Sequence, residues 1–273
     1  MWFTGFELME AFPDETTLCR FRNELSQLGL DKKLFAEINR QLEQRELKVK
    51  KCEGALIDAT VIESCARPRR IVEEITQDRQ EENSSVSKEA SPEEKKSESA
   101  EKTETPSQYV QTESCDPDAR WLKKGKRYYF GYKGFARVDK EGYIEHVHVT
   151  SANRAEVKEL EHALDGAEKH RRVYTDKAYP SKENNELLIR KQLKNGIMNK
   201  AVKNKGLNHW QKLRNYLISK VRFRVEQCFG TLKRKFRFTR AAYKTIAKVE
   251  TQFILKAMCY NLLKAARKLE WAT

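Results

Sequence analysis

The segment Ala55-Leu56-Ile57-Asp58-Ala59-Thr60-Val61-Ile62 is short, apolar and partly β-branched, which predicts a buried strand. A single carboxylate, Asp58, sits in its middle. A second short strand, Arg172-Val173-Tyr174-Thr175-Asp176, also ends on a carboxylate. Between these two, residues 127–138 read as a strand, Lys140-Glu141-Gly142 as a turn and 144–150 as the returning strand, together a hairpin. Further out, residues 154–164 and 181–193 carry helical spacing, and Gly196-Ile197-Met198 reads as a fifth strand. Residues 211–233 and 243–269 read as long amphipathic helices. Towards the start, Asp14 caps a helix over 14–29 that stops at Gly29, and Asp31 caps a second one with Leu34, Phe35, Ile38 and Leu42 on one face. Strands alternating with helices in this order predict a mixed α/β fold. There is no internal repeat.

The chain has 273 residues, 39% hydrophobic and 34% charged, with a net charge of +14. No apolar run approaches the length of a membrane span. With no basic and apolar leader in view, secretion is not expected. Six cysteines (19, 52, 65, 115, 228 and 259) form no C-x-x-C pair, so free thiols in a reducing cytoplasm are expected rather than disulfides or a zinc site. The charge is uneven. Residues 1–70 are neutral, 71–115 carry −7, and 116–273 carry +21. A patch of that sign favours a polyanion, because neutralising phosphates releases condensed counterions. The acidic stretch is rich in Glu, Ser, Lys and Thr and poor in large apolar side chains. Residues 77–114 are therefore expected to be a disordered insert.

A carboxylate inside a buried strand is costly unless it is paired, hydrogen-bonded or bound to a metal. Asp58 and Asp176 are two such groups. A third emerges from scarcity: between residues 187 and 249, Glu226 is the one acid among 18 Lys and Arg. Glu226 either pairs with Arg222, four residues earlier on the same helix, or joins the other two acids in holding a hard cation through oxygen ligands. Two such ions activate a nucleophile and stabilise a leaving oxygen. Arg222, Glu226 and Lys233 share one helical face, leaving the stripe Leu213, Leu217, Val221, Val225, Phe229 and Leu232 for the core. Tyr179, close after Asp176, either packs the strand or touches substrate.

Several segments, in order, resemble bacterial insertion-sequence transposases of the DDE class, in the group named after insertion sequence five. They are PDETTLCRFRNEL (13–25), LFAEINRQL (34–42), LIDATVIES (56–64), YYFGYKGFARVD (128–139), HVTSAN (148–153), VYTDKAYPSKEN (173–184), ISKVRFRVEQCFGTLKRKFRFTR (218–240) and AKVETQFILKAMCYNLLKAAR (247–267). The resemblance implies a ribonuclease H-like fold: a mixed five-stranded sheet flanked by helices, in a catalytic domain over 51–270 that follows a short N-terminal helical segment over 1–50. It places the catalytic, metal-holding acids at Asp58, Asp176 and Glu226. The family's helix signature (Tyr, two residues, Arg, three residues, Glu, six residues, Lys) is met by Arg222, Glu226 and Lys233, with Ser219 where Tyr is expected. Ala178 stands for the usual Gly after Lys177.

The activity implied is metal-dependent hydrolysis of phosphodiesters at the element's ends, followed by strand transfer into target DNA. Two Mg²⁺ ions, replaceable by Mn²⁺, are the implied cofactors. Double-stranded DNA is the partner, gripped by Arg222, Lys233, Lys177, Arg234, Lys235 and Arg237, and a homodimer on DNA is expected. Location is expected to be cytoplasmic and nucleoid-associated. About a dozen residues precede the Pro-Asp-Glu-Thr-Thr segment where relatives carry a longer helical stretch. That keeps open a second reading, a catalytically silent remnant that occupies ends or titrates the full-length enzyme. A generic RNA-binding role fits the charge but offers no stacking-aromatic module and leaves the three acids unexplained.

Overall fold

A computed structural model describes residues 13–49, 54–66, 72–74, 108–110, 114–202 and 206–270. The chain divides into two compact units, one of residues 1–67 with 116–273, the other of residues 68–115. The first unit opens with helices α1 (Glu15–Gln27) and α2 (Leu30–Gln44). Asp14 caps α1 by accepting a hydrogen bond from the Thr17 amide at 2.6 Å. Gly29, left-handed at φ +62°, ends the first helix and itself caps the second. Asp31 is not that cap. It lies buried in the first turn of α2 and accepts from the Thr251 hydroxyl at 2.8 Å.

Strand β1 is Ala55–Glu63. The second unit pairs two three-residue strands, β2 (Val72–Glu74) and β3 (Gln108–Val110), antiparallel. The disordered insert expected over 77–114 lies mostly outside the described residues, but Gln108–Val110 is a correction, being strand. Then follow β4 (Arg120–Lys124), β5 (Arg127–Asp139) and β6 (Ile144–Ser151). The helix expected over 154–164 is a 3₁₀ turn, Glu156–Glu159, running into the single turn α3 (Leu160–Ala163). The chain continues through β7 (Arg172–Thr175), α4 (Lys182–Arg190), β8 (Lys194–Ile197), α5 (His209–Lys235) and α6 (Ile246–Glu270).

The main sheet is mixed. β5 pairs antiparallel with β1 on one edge and with β6 along the same residues on the other. β7 then runs parallel to β1, and β8 parallel to β7. This is the ribonuclease H-like order, β6-β5-β1-β7-β8, with β4 added as a sixth strand on the first residues of β5.

Strand parity assigns the two faces. Leu56 and Ile62 of β1, Tyr132, Ala136 and Val138 of β5, and Val147 and Val149 of β6 enter one core with α5 and α6. Ile57, Val173 and Ile197 enter a second core with α3 and α4. Asp58 has the parity of Leu56 and therefore faces α5. The N-terminal helices pack on α6, where a buried amide network joins three elements: Asn261 Nδ2 donates to Asn39 Oδ1 and to the Ile144 carbonyl, both at 2.8 Å, and Asn261 Oδ1 accepts from the Ile144 amide at 2.9 Å.

The core stripe expected on α5 needs correction. Leu213 and Leu217 are 39% and 54% exposed. The buried positions are Asn215, Ile218, Arg222, Val225, Cys228, Phe229 and Leu232. Steps of four residues overshoot the helical period, so a stripe built on them drifts by about 40° per step around the axis. By Leu213 and Leu217 it has left the sheet. No helix among the described residues is long and apolar enough to cross a membrane.

Candidate active site

β1 carries Asp58 towards α5, and the β1–β7 register sets Leu56 beside Tyr174. Two residues further along both chains, Asp58 and Asp176 follow. Asp176 lies just past the end of β7, half-buried, and its Oδ1 accepts from the Ala178 amide at 2.9 Å. Helix α5 crosses this end of the sheet, started by a capping box in which Asn208 and Gln211 exchange hydrogen bonds. It brings Arg222, Glu226 and Lys233 to the same region.

Asp58, Glu226 and Lys233 line one open cavity of about 490 Å³, together with Glu63 of β1, Lys124 of β4 and Tyr129 of β5. Asp176 is not part of that lining. Its charge is nevertheless felt at Asp58, whose carboxyl is pushed up to about 6. Burial is the chief cause, Arg222 and the Ala59 amide act against it, and Asp176 and Glu156 add to it.

Arg222 does not pair with Glu226. Its Nη2 lies 3.1 Å from Asp58 Oδ2, and the side chain is buried at 8% exposure. Its Nε has no hydrogen-bond partner. Glu226 is exposed and makes no ion pair among the described residues. Lys233 is half-buried and held below the usual lysine range by burial and by Lys124. Lys177, Arg234, Lys235 and Arg237 are exposed, and Arg237 is left-handed at φ +50°. Ser219, also exposed, spends its hydroxyl on the Tyr216 carbonyl at 2.8 Å.

Tyr179 is wholly buried in the second core, so packing accounts for its ring. Its hydroxyl has no partner and is raised well above the ordinary tyrosine range, first by burial and then by Glu156, Asp58 and Asp176. Glu156 does not stand out in the sequence. It is tied to the buried Lys133 at 3.4 Å, and no local pattern marks it, since the 3₁₀ turn that carries it reaches the acids only through the fold. Lys124 and Tyr129 escape sequence reasoning for the same reason.

The donor chemistry suits a hard divalent cation, because every acid here offers carboxylate oxygen. The field agrees. Asp58 is pushed up chiefly by burial and further by Asp176 and Glu156, and a bound cation would offset that cost. The cluster is not a ready-made cage, however. Among the described residues no three acid, histidine or cysteine side chains are grouped closely enough to hold an ion, and Arg222 occupies one oxygen of Asp58.

Residues 53–262 match the family described as Transposase DDE domain. The transposase for insertion sequence element IS1106 from Neisseria meningitidis serogroup B is 42% identical over 262 residues, covering 96% of this chain and 82% of that protein. No solved structure matches.

Proposed function

The chain belongs to the family of DDE transposases, and from that premise we propose how its residues cut and join DNA. It is a DNA transposase, a DNA-cleaving and strand-transferring enzyme whose family depends on divalent metal. We assign Asp58, Asp176 and Glu226 as the acids that hold two Mg²⁺ ions, with Mn²⁺ able to replace them. When bound, the metal supplies water activation and charge stabilisation at the leaving oxygen. The observation that carries this assignment is the shared cavity of Asp58, Glu226 and Lys233, with the Asp176 charge raising the Asp58 carboxyl.

The chain's own groups do the rest. Lys233 sits in the cavity wall, where a partly desolvated ammonium grips a phosphate more strongly than one in water. Arg222 neutralises Asp58, and its guanidinium must leave Oδ2 before it can reach a phosphate. Lys177, Arg234, Lys235 and Arg237 contact the backbone of the duplex, which fixes register without reading sequence. Water attacks the phosphodiester at each element end, leaving a 3′-hydroxyl and a 5′-phosphate, and that 3′-hydroxyl attacks a target phosphodiester in line and displaces the target strand's 3′-oxygen, without a covalent protein–DNA intermediate. Two ends cut together call for a homodimer, and a DNA substrate puts the work at the bacterial nucleoid. Ser219 offers a short hydroxyl, already used on the helix, in place of a tyrosine, and so weakens the grip on the ends.

Replacing Asp58 or Asp176 by Asn, or Glu226 by Gln, should abolish Mg²⁺-dependent nicking of duplexes bearing the cognate ends, by 10³-fold or more on the order expected for lost metal and electrostatic catalysis. Mn²⁺ should restore turnover to the parent protein and Ca²⁺ should not. Nicking retained by any one variant removes that residue from the assignment. A parent protein that binds these duplexes yet never nicks them overturns the enzymatic reading.

A further inference from the structure

At the opposite end of the parallel strands from the acids lies a second cavity, of about 300 Å³. Its walls are Lys140, Lys169, His170, Arg171, Arg172 and Lys194, joined by a single carboxylate, Glu168. The β7–β8 register sets Arg172 directly beside Lys194. Like charges at such a pair repel, and no ion pair to either is formed among the described residues. Beneath them Arg171 is 8% exposed. Its Nη1 is held by Glu145 at 2.8 Å and its Nη2 by the Gly54 carbonyl at 2.8 Å. Its Nε donor is buried with no partner.

The backbone around this cavity turns through left-handed residues. His170 and Gln192 are both left-handed, at φ +65° and +55°, and the His170 amide donates to the Gln192 carbonyl at 2.8 Å. Gly54, whose carbonyl holds Arg171, is left-handed at φ +96°, and a Cβ there would meet Lys140 Cε and the Tyr174 ring at 3.0 Å. Gln192 is the left-handed residue that ends α4, its neighbour Leu193 donating to the Leu188 carbonyl at 2.8 Å, and this cap holds His170 at the cavity wall. Five Lys and Arg side chains against one carboxylate around one cavity, with Arg172 and Lys194 set side by side, describe a receptor for an anion.

We propose that this cavity is a second DNA contact, a phosphate-binding site for duplex backbone that lies outside the catalytic cavity. It stands about 13 Å from the acids along β7, four residues at ~3.3 Å each. A duplex engaged at the acids therefore does not fill it by the same phosphates. The site takes the flanking or target duplex and reads no sequence. The inference rests on the chain acting on DNA, and it fails separately from the assignment of the acids.

The test uses the full chain with Lys169, Arg172 and Lys194 all changed to Gln, three exposed residues outside the catalytic machinery. Affinity for a duplex of unrelated sequence is measured against salt. The variant should bind about 10-fold or more weakly at low salt, and its log–log salt slope should be shallower by about 2–3, close to 0.9 for each phosphate that is no longer neutralised. A charge-keeping variant (K169R, R172K, K194R) should retain the parent's slope, and matched melting curves exclude a folding defect. The parent's affinity and slope in the Gln variant would overturn the proposal. Calorimetry with inorganic phosphate separates the two sources of the anion. Phosphate that binds the parent and not the Gln variant, with the DNA slope unchanged, assigns the cavity to a free anion and likewise overturns the DNA site. Nicking by the parent, assayed separately, reports on the acids alone.

Discussion

Arg222 carries two duties that oppose each other. Among the described residues it supplies the one positive charge in direct contact with Asp58, and it is among the cations expected to hold DNA. Its effect on Asp58 is readable through pH. Burial raises the Asp58 carboxyl to about 6 while Arg222 lowers it, so removing Arg222 leaves only the Ala59 amide to oppose burial. A carboxyl raised above its unfolded value near 3.8 binds its proton more tightly in the folded state. Stability is then lost as pH rises through that window. Arg222→Gln should cost about 3–5 kcal/mol at pH 8, the scale for an orphaned buried charge, and clearly less at pH 5. Denaturant unfolding at both values checks this, and an equal cost at each would deny that the pair is electrostatic. Asp139 offers a similar case outside the active site. Its Oδ1 accepts from the Gly142 and Tyr143 amides at 2.7 and 2.8 Å, and burial lifts its carboxyl to about 6. Asp139→Asn keeps the acceptor and removes the charge. It should stabilise the protein at pH 8 by up to about 3 kcal/mol, with the gain vanishing near pH 4.

Among the elements, α5 shows how far a pattern can be trusted. Asp58 is conspicuous because an acid breaks an apolar strand, and Glu226 because its neighbourhood holds no other acid. The face of α5 that meets the sheet is less legible, since Arg222 and Asn215 take core positions that hydrophobicity alone would deny them. Leu232 is fully buried and Leu217 is not. Leu232→Ala should cost about 2–5 kcal/mol through the cavity it leaves, and Leu217→Ala should stay within about 0.5 kcal/mol. Equal losses in thermal melts would contradict the helix rotation described above. β4 escapes a reading by pattern because Arg120–Lys124 alternates no apolar face. It is strand by virtue of its pairing with β5.

Across the chain, charge is segregated. Residues 71–115 carry −7 in a protein of net +14, and exposed charges within a Debye length act on the same polyanion. Deleting 71–115 raises the net charge to +21. DNA association should strengthen at low salt and converge with the parent at high salt, measured by anisotropy across a salt series. An affinity unchanged at low salt would show that this acidic stretch exerts no long-range effect on DNA.

Apart from β4, the order of the main sheet's strands and helices, the isolation of three carboxylates and the basic bias of the second half were all present in the linear chain. Each depends on residue type and on spacing within one element. Pairings between distant elements were not present there: the guanidinium on Asp58, the approach of Glu156, the exclusion of Asp176 from the cavity that Asp58 shares with Glu226, and the basic receptor at the far end of β7. These arise from sheet register and helix rotation, which are set by how whole faces pack, and no local pattern encodes the partner a side chain meets a hundred residues away.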